Sequence, residues 1–346
     1  MKTYTVKEKA KVIYNTVVDV FNWNRTSDCV TPLDLVRKQF EGVSPQGKIC
    51  IPGAGIGTYV LIALEKGFSP ENITAVELDP MYYELGSGMF NRLGVNYVHA
   101  DFLTWEPNMK FDVVIGNPPY QGGNFGKAVY KSLWPLFWAK SFLLVKPGGV
   151  ISLITPLTWC APTADLSKKD AIDGETRLWK VFEKYSTLAD VTTVKNFFPG
   201  VGSSFSAVTV DTSGDSGLTF TNGFSSNLGF YPLSGAEEVQ EQLSLTNNIS
   251  TNLKVSGRIT PGIRVSLLNT RKINEQNVEI CQSMEFPKTN AEPTLYSHIY
   301  CKDEEEAEYV RSRILDCADI LYKHCRYHGF LNMNVLGMIS LNLSQC

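Results

Sequence analysis

Long apolar runs are missing from this chain. No stretch approaches the roughly 20 consecutive apolar residues that a membrane span needs, and the opening "MKTYTVKEKAKVIYN" is too polar for a secretory leader. The expectation is a cytoplasmic protein with no membrane partner. Charge of one sign is scarce too. With 32 Lys and Arg against 35 Asp and Glu the formal net charge is −3, not the strongly basic balance of a general nucleic-acid binder. A local basic groove on an acidic protein remains compatible with that figure. The eight cysteines show no repeated C-x-x-C spacing, which speaks against a zinc ribbon or a redox motif and for reduced thiols. Cys317, His324, Cys325 and His328 lie close together in sequence. They read either as a zinc site or as the end of a turn-rich helix; the spacing fits no common finger, so the second reading is preferred and no metal is expected. A P-D…E-x-K stretch, the mark of one nuclease type, is also lacking.

What is present is an ordinary globular composition, 43% hydrophobic and 19% charged over 346 residues, long enough for two domains. A helix is expected from Lys7 to about Phe21, and a second after Thr31, with Thr31 as N-cap and Pro32 as first helical residue. From Lys48 strands and helices alternate: "KICIP", "TYVLIALEKG", "ITAVELD", "PMYYELGSGMFNRLG", "VNYVHAD", "FDVVIGN", "VYKSLWPLFWAKSFLLV", "VISLITP", "ETRLWKVFEKY", "LADVTTV" and "FSAVTVD". That rhythm predicts an α/β fold with a doubly wound, mostly parallel, Rossmann-like sheet whose ligands bind at the carboxyl ends of the strands. It stops near "DTSGDSG", giving domains 1–212 and 213–346. In the second, "LYSHIYC" reads as β structure and "DEEEAEYVRSRILDCADILYKHC" as a helix with acids in its first turn.

Four features carry the chemistry. "IPGAGIG", with Pro52, Gly53, Gly55 and Gly57, is a glycine turn between strand and helix. It lacks both the G-x-G-x-x-G spacing of dinucleotide binders and the Gly-Lys-Ser/Thr of a phosphate loop, so NAD and ATP are disfavoured. Glu77 ends the next strand, where a carboxylate can accept from both hydroxyls of a ribose; a plain surface acid is the bland alternative. Asp101 and Phe102 end the third strand and suit an adenine, acid to the exocyclic amine and ring to its face. The fourth strand ends in "NPPY". Asn117 offers a side-chain carbonyl and Pro118 a backbone carbonyl with no N–H to compete. Two converging acceptors are what a planar –NH2 group needs if both its protons are to be held. Pro119 then holds the turn that aims the ring of Tyr120.

In this order the blocks resemble the S-adenosylmethionine-dependent amino-methyltransferases (class I methyltransferase fold), in particular the DNA adenine-N6 methyltransferases of the gamma arrangement, over roughly residues 28–210. By that resemblance Thr31 and Pro32 of "TSDCVTPLDLV" line the methionine end of the cofactor and Pro52, Gly53, Gly55 and Gly57 lie under it. Glu77 binds its ribose, Asp101 and Phe102 its adenine, and Asn117, Pro118, Pro119 and Tyr120 form the catalytic block, with Asn117 also beside the cofactor. "FFPGVGSSFSAVTV" is similar to a later block whose Phe, here Phe198 beside Pro199, adds a second ring against a flipped base; plain core packing is the alternative. The Asn that opens the tetrapeptide favours adenine over cytosine N4.

The reaction implied is direct displacement, the target amine of a flipped base attacking the methyl group of S-adenosylmethionine in line, without metal or strong base. RNA or a protein glutamine amide presents a similar –NH2 and stays open as substrate, as does a degenerate fold kept for binding. The polar stretch Ala161–Arg177 is expected to be a mobile loop over the site, with Lys168 and Lys169 either touching phosphates or lying on plain surface. The C-terminal part, in which "YCKDEEEAEYVRSRIL" is similar to a strand and helix of restriction–modification recognition domains, is expected to be an α+β target-recognition domain. A separate restriction endonuclease is a possible partner and is not required.

Overall fold

The computed structural model describes residues 5–20, 30–122, 131–198, 204–224, 229–232, 239, 243, 249, 253–268, 275–285, 287, 296–327, 330–331, 333–339 and 341. These divide into two compact units, Met1–Pro156 with Ala164–Gly223, and Leu157–Thr163 with Phe224–Cys346.

The first unit is built on eight strands: β1 (Ile49–Pro52), β2 (Ile73–Glu77), β3 (Asn96–His99), β4 (Phe111–Gly116), β7 (Val145–Pro156), β8 (Ser186–Asp190), β9 (Phe205–Asp211) and β10 (Leu218–Phe220). A two-stranded ribbon, β5 (Gln121–Gly122) with β6 (Lys131–Ser132), stands apart. The sheet order is β10-β8-β9-β7-β4-β1-β2-β3. All pairings are parallel except those of β9, which runs antiparallel to both β7 and β8. The doubly wound, mostly parallel sheet expected from the sequence is the one observed.

Its helices are α1 (Val6–Val20), α2 (Leu33–Gln39), α3 (Thr58–Lys66), α4 (Pro80–Phe90), α5 (Trp134–Leu144) and α6 (Leu178–Phe182). Alternate residues Ile49 and Ile51, Ile73 and Ala75, Val113 and Ile115 enter one core with Tyr14, Phe40, Val60, Leu64 and Phe90 from the helices. The intervening Cys50, Val76 and Val114 are buried as well. Strands covered on both faces are why the sequence shows unbroken apolar runs there rather than alternation. Because β1 leads outward to β2 and β3 while β4 lies on its other side, the chain reverses its winding between β1 and β4, and a crevice opens at their carboxyl ends.

Several boundaries differ from the sequence reading. The domain break expected after residue 212 falls inside the first unit, because Leu218–Phe220 pair in parallel with β8; the unit ends at Gly223 and excludes Leu157–Thr163. Thr31 is not an N-cap: α2 starts at Leu33 with Pro32 in the capping position and no side-chain cap bond. Helix α5 starts at Trp134, since Lys131–Ser132 are drawn into the ribbon. Ala161–Arg177 is structured. Thr176 O accepts from both Asp165 N and Leu166 N, Ile172 bridges Glu175, and Leu166 and Ile172 are buried. Burial pushes the Asp165 carboxyl up to about 7 against the N–H of Leu178 that it accepts.

The second unit holds a four-stranded antiparallel sheet of β11 (Lys254–Ser256), β12 (Ile263–Leu268), β13 (Val278–Cys281) and β14 (Tyr296–Cys301), in the order β11-β14-β12-β13. The long helix α7 (Glu304–His324) packs on β12, β13 and β14, with Ala307, Val310, Ile314, Cys317 and Leu321 among its buried residues. Asp303 caps it by accepting from Glu306 N at 2.8 Å, and Glu306 in return accepts from Lys302 N, so the acid run is helix-start chemistry. This unit is α+β. Cys317 and Cys325 are buried, and burial raises both thiols, Cys325 to about 12; His328 lies outside the described residues. Among the described residues no helix is long and apolar enough to cross a membrane, and no cluster of three His, Cys, Asp or Glu could hold a metal ion.

Candidate active site

A cavity of about 570 Å³ lies at the carboxyl ends of β1, β2 and β4, within the first unit. Its floor is the turn after β1. Gly55 has φ +55 and nothing within 4 Å of where a Cβ would stand, so the backbone there is bare to the cavity. Gly57 serves another purpose. It opens α3 at φ +97, and a Cβ on it would meet Phe90 Cε2 at 2.3 Å. The requirement for glycine at 57 is packing against Phe90, and Gly57 does not line the cavity. Neither do Pro32 and Pro52; Pro52 closes β1 and sits against Gly116. Pro32, Pro52 and Gly57 thus have framework roles of their own. Thr31, Gly53, Gly55, Glu77, Asp101, Phe102 and Asn117 all line the cavity.

Glu77 is 8% exposed. Its Oε2 accepts from Gly55 N at 2.7 Å and its Oε1 from Asp79 N at 2.8 Å. One carboxylate thus ties the glycine turn to the start of α4, and each oxygen keeps a further lone pair for a ligand hydroxyl. Tyr97 fixes the same turn from below, its hydroxyl donating to Gly55 O at 2.6 Å. Asp101 Oδ1 accepts from Leu103 N at 2.9 Å. Phe102 is buried and stacks on Phe137, centroids 5.4 Å apart and planes 7° apart.

At the lip stands the block Asn117–Tyr120. Asn117 Nδ2 donates to Thr31 Oγ1 at 3.0 Å, and the Tyr120 hydroxyl donates to Asn117 Oδ1 at 2.7 Å. The Tyr120 ring stacks on Phe205, centroids 5.2 Å apart, and Phe205 meets Phe198 edge-on at 5.5 Å. Phe198 is 7% exposed in a core cluster with Leu35, Ile154 and Val194. Phe205 therefore stands between the two rings that the sequence reading paired across a base, and Phe198 has the core role; Pro199 lies outside the described residues. Lys169 lines a second cavity, of about 580 Å³, with Lys110, Lys140 and Lys146. Those flank the amino ends of β4 and β7, whereas Asn117 follows the carboxyl end of β4, a strand length of about 20 Å away. Lys168 lines neither cavity.

The sequence reading missed Asp79, Tyr59, Tyr82, Leu133 and Phe137, all in the cavity wall. Asp79 had a signal: an Asp before Pro is a helix start, and its Oδ1 does accept from Met81 N and Tyr82 N.

Residues 71–183 match the Eco57I restriction-modification methylase family. That segment spans Glu77, Asp101 and Asn117–Tyr120, the residues that carry the resemblance to N-P-P-Y amino-methyltransferases. The chain is also 29% identical over 136 residues to a type II methyltransferase of Thermus thermophilus, covering 33% of this chain and 30% of that protein. It is 37% identical over 93 residues to the type II methyltransferase M.CvrRI of Paramecium bursaria Chlorella virus XZ-6E, covering 26% of this chain and 23% of that protein. The matched part thus spans less than a third of either relative. A modification subunit of a putative type I restriction enzyme from Vibrio vulnificus YJ016 superposes with a TM-score of 0.45 at 17% identity, over 62% of this chain and 51% of the other.

Proposed function

We propose that this chain transfers a methyl group from S-adenosylmethionine to the exocyclic N6 amine of adenine in DNA. The observation that carries the reading is the placement of Asn117 and Pro118 on the lip of a cavity whose floor is the bare turn at Gly55 and whose walls hold Glu77 and Asp101. The residues fit the cofactor. Gly55 leaves room for a ligand against the backbone, Glu77 retains acceptor capacity for a ribose diol, and Asp101 with Phe102 offers an acid and an apolar ring to an adenine.

When bound, the cofactor supplies a methyl group on a positively charged sulfur. The chain's own work is positioning and electrostatics. Asn117 Oδ1 and the Pro118 carbonyl each accept a hydrogen bond from one N–H of the target amine, turning its lone pair toward the cavity. The same two acceptors stabilise the positive charge that grows on nitrogen, and the methylated amine then gives a proton to water. Base flipping costs a few kcal/mol, offset in part by stacking on Tyr120, whose ring is backed by Phe205. The α+β second unit is assigned to target recognition, and a separate restriction endonuclease is a compatible partner.

Single-molecule sequencing of DNA from cells expressing the chain tests this. N6-methyladenine at one sequence context, absent with Asn117→Ala, is the expected result. Labelled methyl appearing in RNA or protein but not in DNA would move the same chemistry to another amine; no transfer to any of the three would overturn the reading.

A further inference from the structure

We propose that Thr31 is a positioning residue that anchors the Asn117 carboxamide from the end away from the target amine and so fixes the plane and direction in which Oδ1 is presented; this rests on the amino-methyl transfer reading above. A carboxamide is nearly symmetric in shape but opposite in chemistry at its two ends, one an acceptor and the other a double donor. Half a turn about the last side-chain bond would present Nδ2 to the incoming –NH2, donor against donor. The hydroxyls of Thr31 and Tyr120 can each donate or accept, so what Thr31 supplies is a fixed attachment for the amide rather than a preference between its ends.

Two bonds hold the amide in the described residues, and they differ in what happens during a reaction. The bond from Tyr120 to Oδ1 lies at the reacting end, where the target amine must compete with it. The bond from Nδ2 to Thr31 Oγ1 lies at the other end and can persist throughout. Thr31 is 6% exposed, and its hydroxyl is not engaged in capping α2.

The helix behind it is well anchored. Lys38 Nζ reaches Asp190 Oδ2 at 2.5 Å and Thr193 Oγ1 at 2.6 Å, Arg37 bonds Glu65, and Gln39 Oε1 accepts from Tyr59 at 2.6 Å. Burial raises the Asp190 carboxyl, but the bonds from Lys38 and Thr193 outweigh it and hold the group below the usual carboxylate range. A hydroxyl at the start of so fixed a helix is a stationary reference for the amide. This role differs from the methionine contact that the motif resemblance implies for Thr31, and the two separate by experiment.

Thr31→Val keeps the branched shape and removes the acceptor; Thr31→Ser keeps the acceptor. With the full-length chain, labelled S-adenosylmethionine and DNA, Thr31→Val is expected to lower kcat by about 10- to 100-fold, the scale of a misplaced catalytic group. Binding of S-adenosylmethionine by calorimetry should change less than about twofold, and Thr31→Ser should return kcat to within a few-fold of the parent. A Thr31→Val enzyme with parental kcat overturns the proposal. So does a loss confined to cofactor binding, or a Ser variant as impaired as Val.

The amide itself gives a readout that needs no turnover. The side-chain –NH2 pair of Asn117, assigned by its disappearance in Asn117→Ala, should shift in ¹⁵N spectra of Thr31→Val and stay near its parental position in Thr31→Ser. An unmoved pair in Thr31→Val overturns the proposal whether or not methyl transfer is detected, whereas a parent chain that methylates no nucleic acid or protein overturns the functional reading instead.

Discussion

The hydroxyl of Tyr120 donates to Oδ1 of Asn117 at 2.7 Å, so the acceptor assigned to the target amine is engaged by the chain itself. The tyrosine fills the amine's place with a bond of the same polarity. Tyr120→Phe removes that competitor and keeps the ring on Phe205. It is expected to hold kcat within about fivefold and to leave the KM for DNA unchanged or lower, since a neutral hydrogen bond has a net worth of only about 1 kcal/mol. Tyr120→Ala, which also loses the stacking platform, should raise that KM by at least about tenfold. Steady-state kinetics of both variants decide the matter; a Phe variant as poor as Ala would show that the hydroxyl itself is needed.

Gly55 and Gly57 are two residues apart and should fail in different ways. Gly57→Ala combines a left-handed backbone with a collision against Phe90, and a loss of about 2–4 kcal/mol of stability is expected. Gly55→Ala meets open space, so only the backbone term of about 1–2 kcal/mol applies. Gly55 lines the cavity, so on the proposed reading an added methyl group there should lower S-adenosylmethionine affinity by at least about tenfold. Thermal unfolding and calorimetry together separate the two; equal stability losses would refute the distinction.

The aromatic series behind the site makes a similar division. Phe198→Ala removes a ring from a closed core and should lower stability by about 3–5 kcal/mol. Phe205→Leu fills most of the same volume but removes the ring behind Tyr120, so its main effect should be a rise in the KM for DNA. The edge of an aromatic pair is worth about 0.5–1.5 kcal/mol, or two- to tenfold. If Phe198→Leu changed that KM more than Phe205→Leu, the order of the rings would have to be reconsidered.

In the second unit, His298 is buried with Ser266 Oγ 3.0 Å from its Nδ1. Burial first, and the charge of Arg264 second, push its pKa down to about 4. An unfolded histidine titrates near 6.5, so the folded unit binds this proton less tightly than the unfolded chain. The corresponding stability is fully present above about pH 6.5 and is lost as pH falls toward 4, by at most about 3 kcal/mol. Hydrogen exchange at β12 and β14 should accelerate across that window in the parent and much less in His298→Gln. An identical pH slope in both would rule His298 out as the cause.

The strand–helix rhythm was readable because strands buried on both faces leave unbroken apolar runs, and Glu77 and Asn117 stand out because they lie at the ends of such runs, whereas Asp101 follows the edge strand β3, in which Tyr97 alone is buried. What escaped depended on register or on direction. Nothing near Phe205 in the sequence marks it as the partner of Tyr120; that follows from the antiparallel pairing that sets Phe205 opposite Pro156. The strand β10 escaped because it is three residues long and follows the polar "DTSGDSG". Thr31 was visible as a helix-start residue, but Pro32 takes the capping position, which releases the hydroxyl for Asn117. The glycine at 57, expected under a cofactor, also has a packing role against Phe90 that sequence spacing alone does not reveal.

Leu157–Thr163, placed between β7 and the rest of the first unit in sequence, belongs to the second unit. The chain therefore passes from one unit to the other three times, after residues 156, 163 and 223. No single cut yields both units whole, and a graft of residues 224–346 from a relative would arrive without its own counterpart of Trp159 and Cys160, both fully buried. If the second unit chooses the target, a change of target by recombination needs two exchanges in one event. New specificities in such a chain are then expected to come by point substitution more readily than by domain exchange.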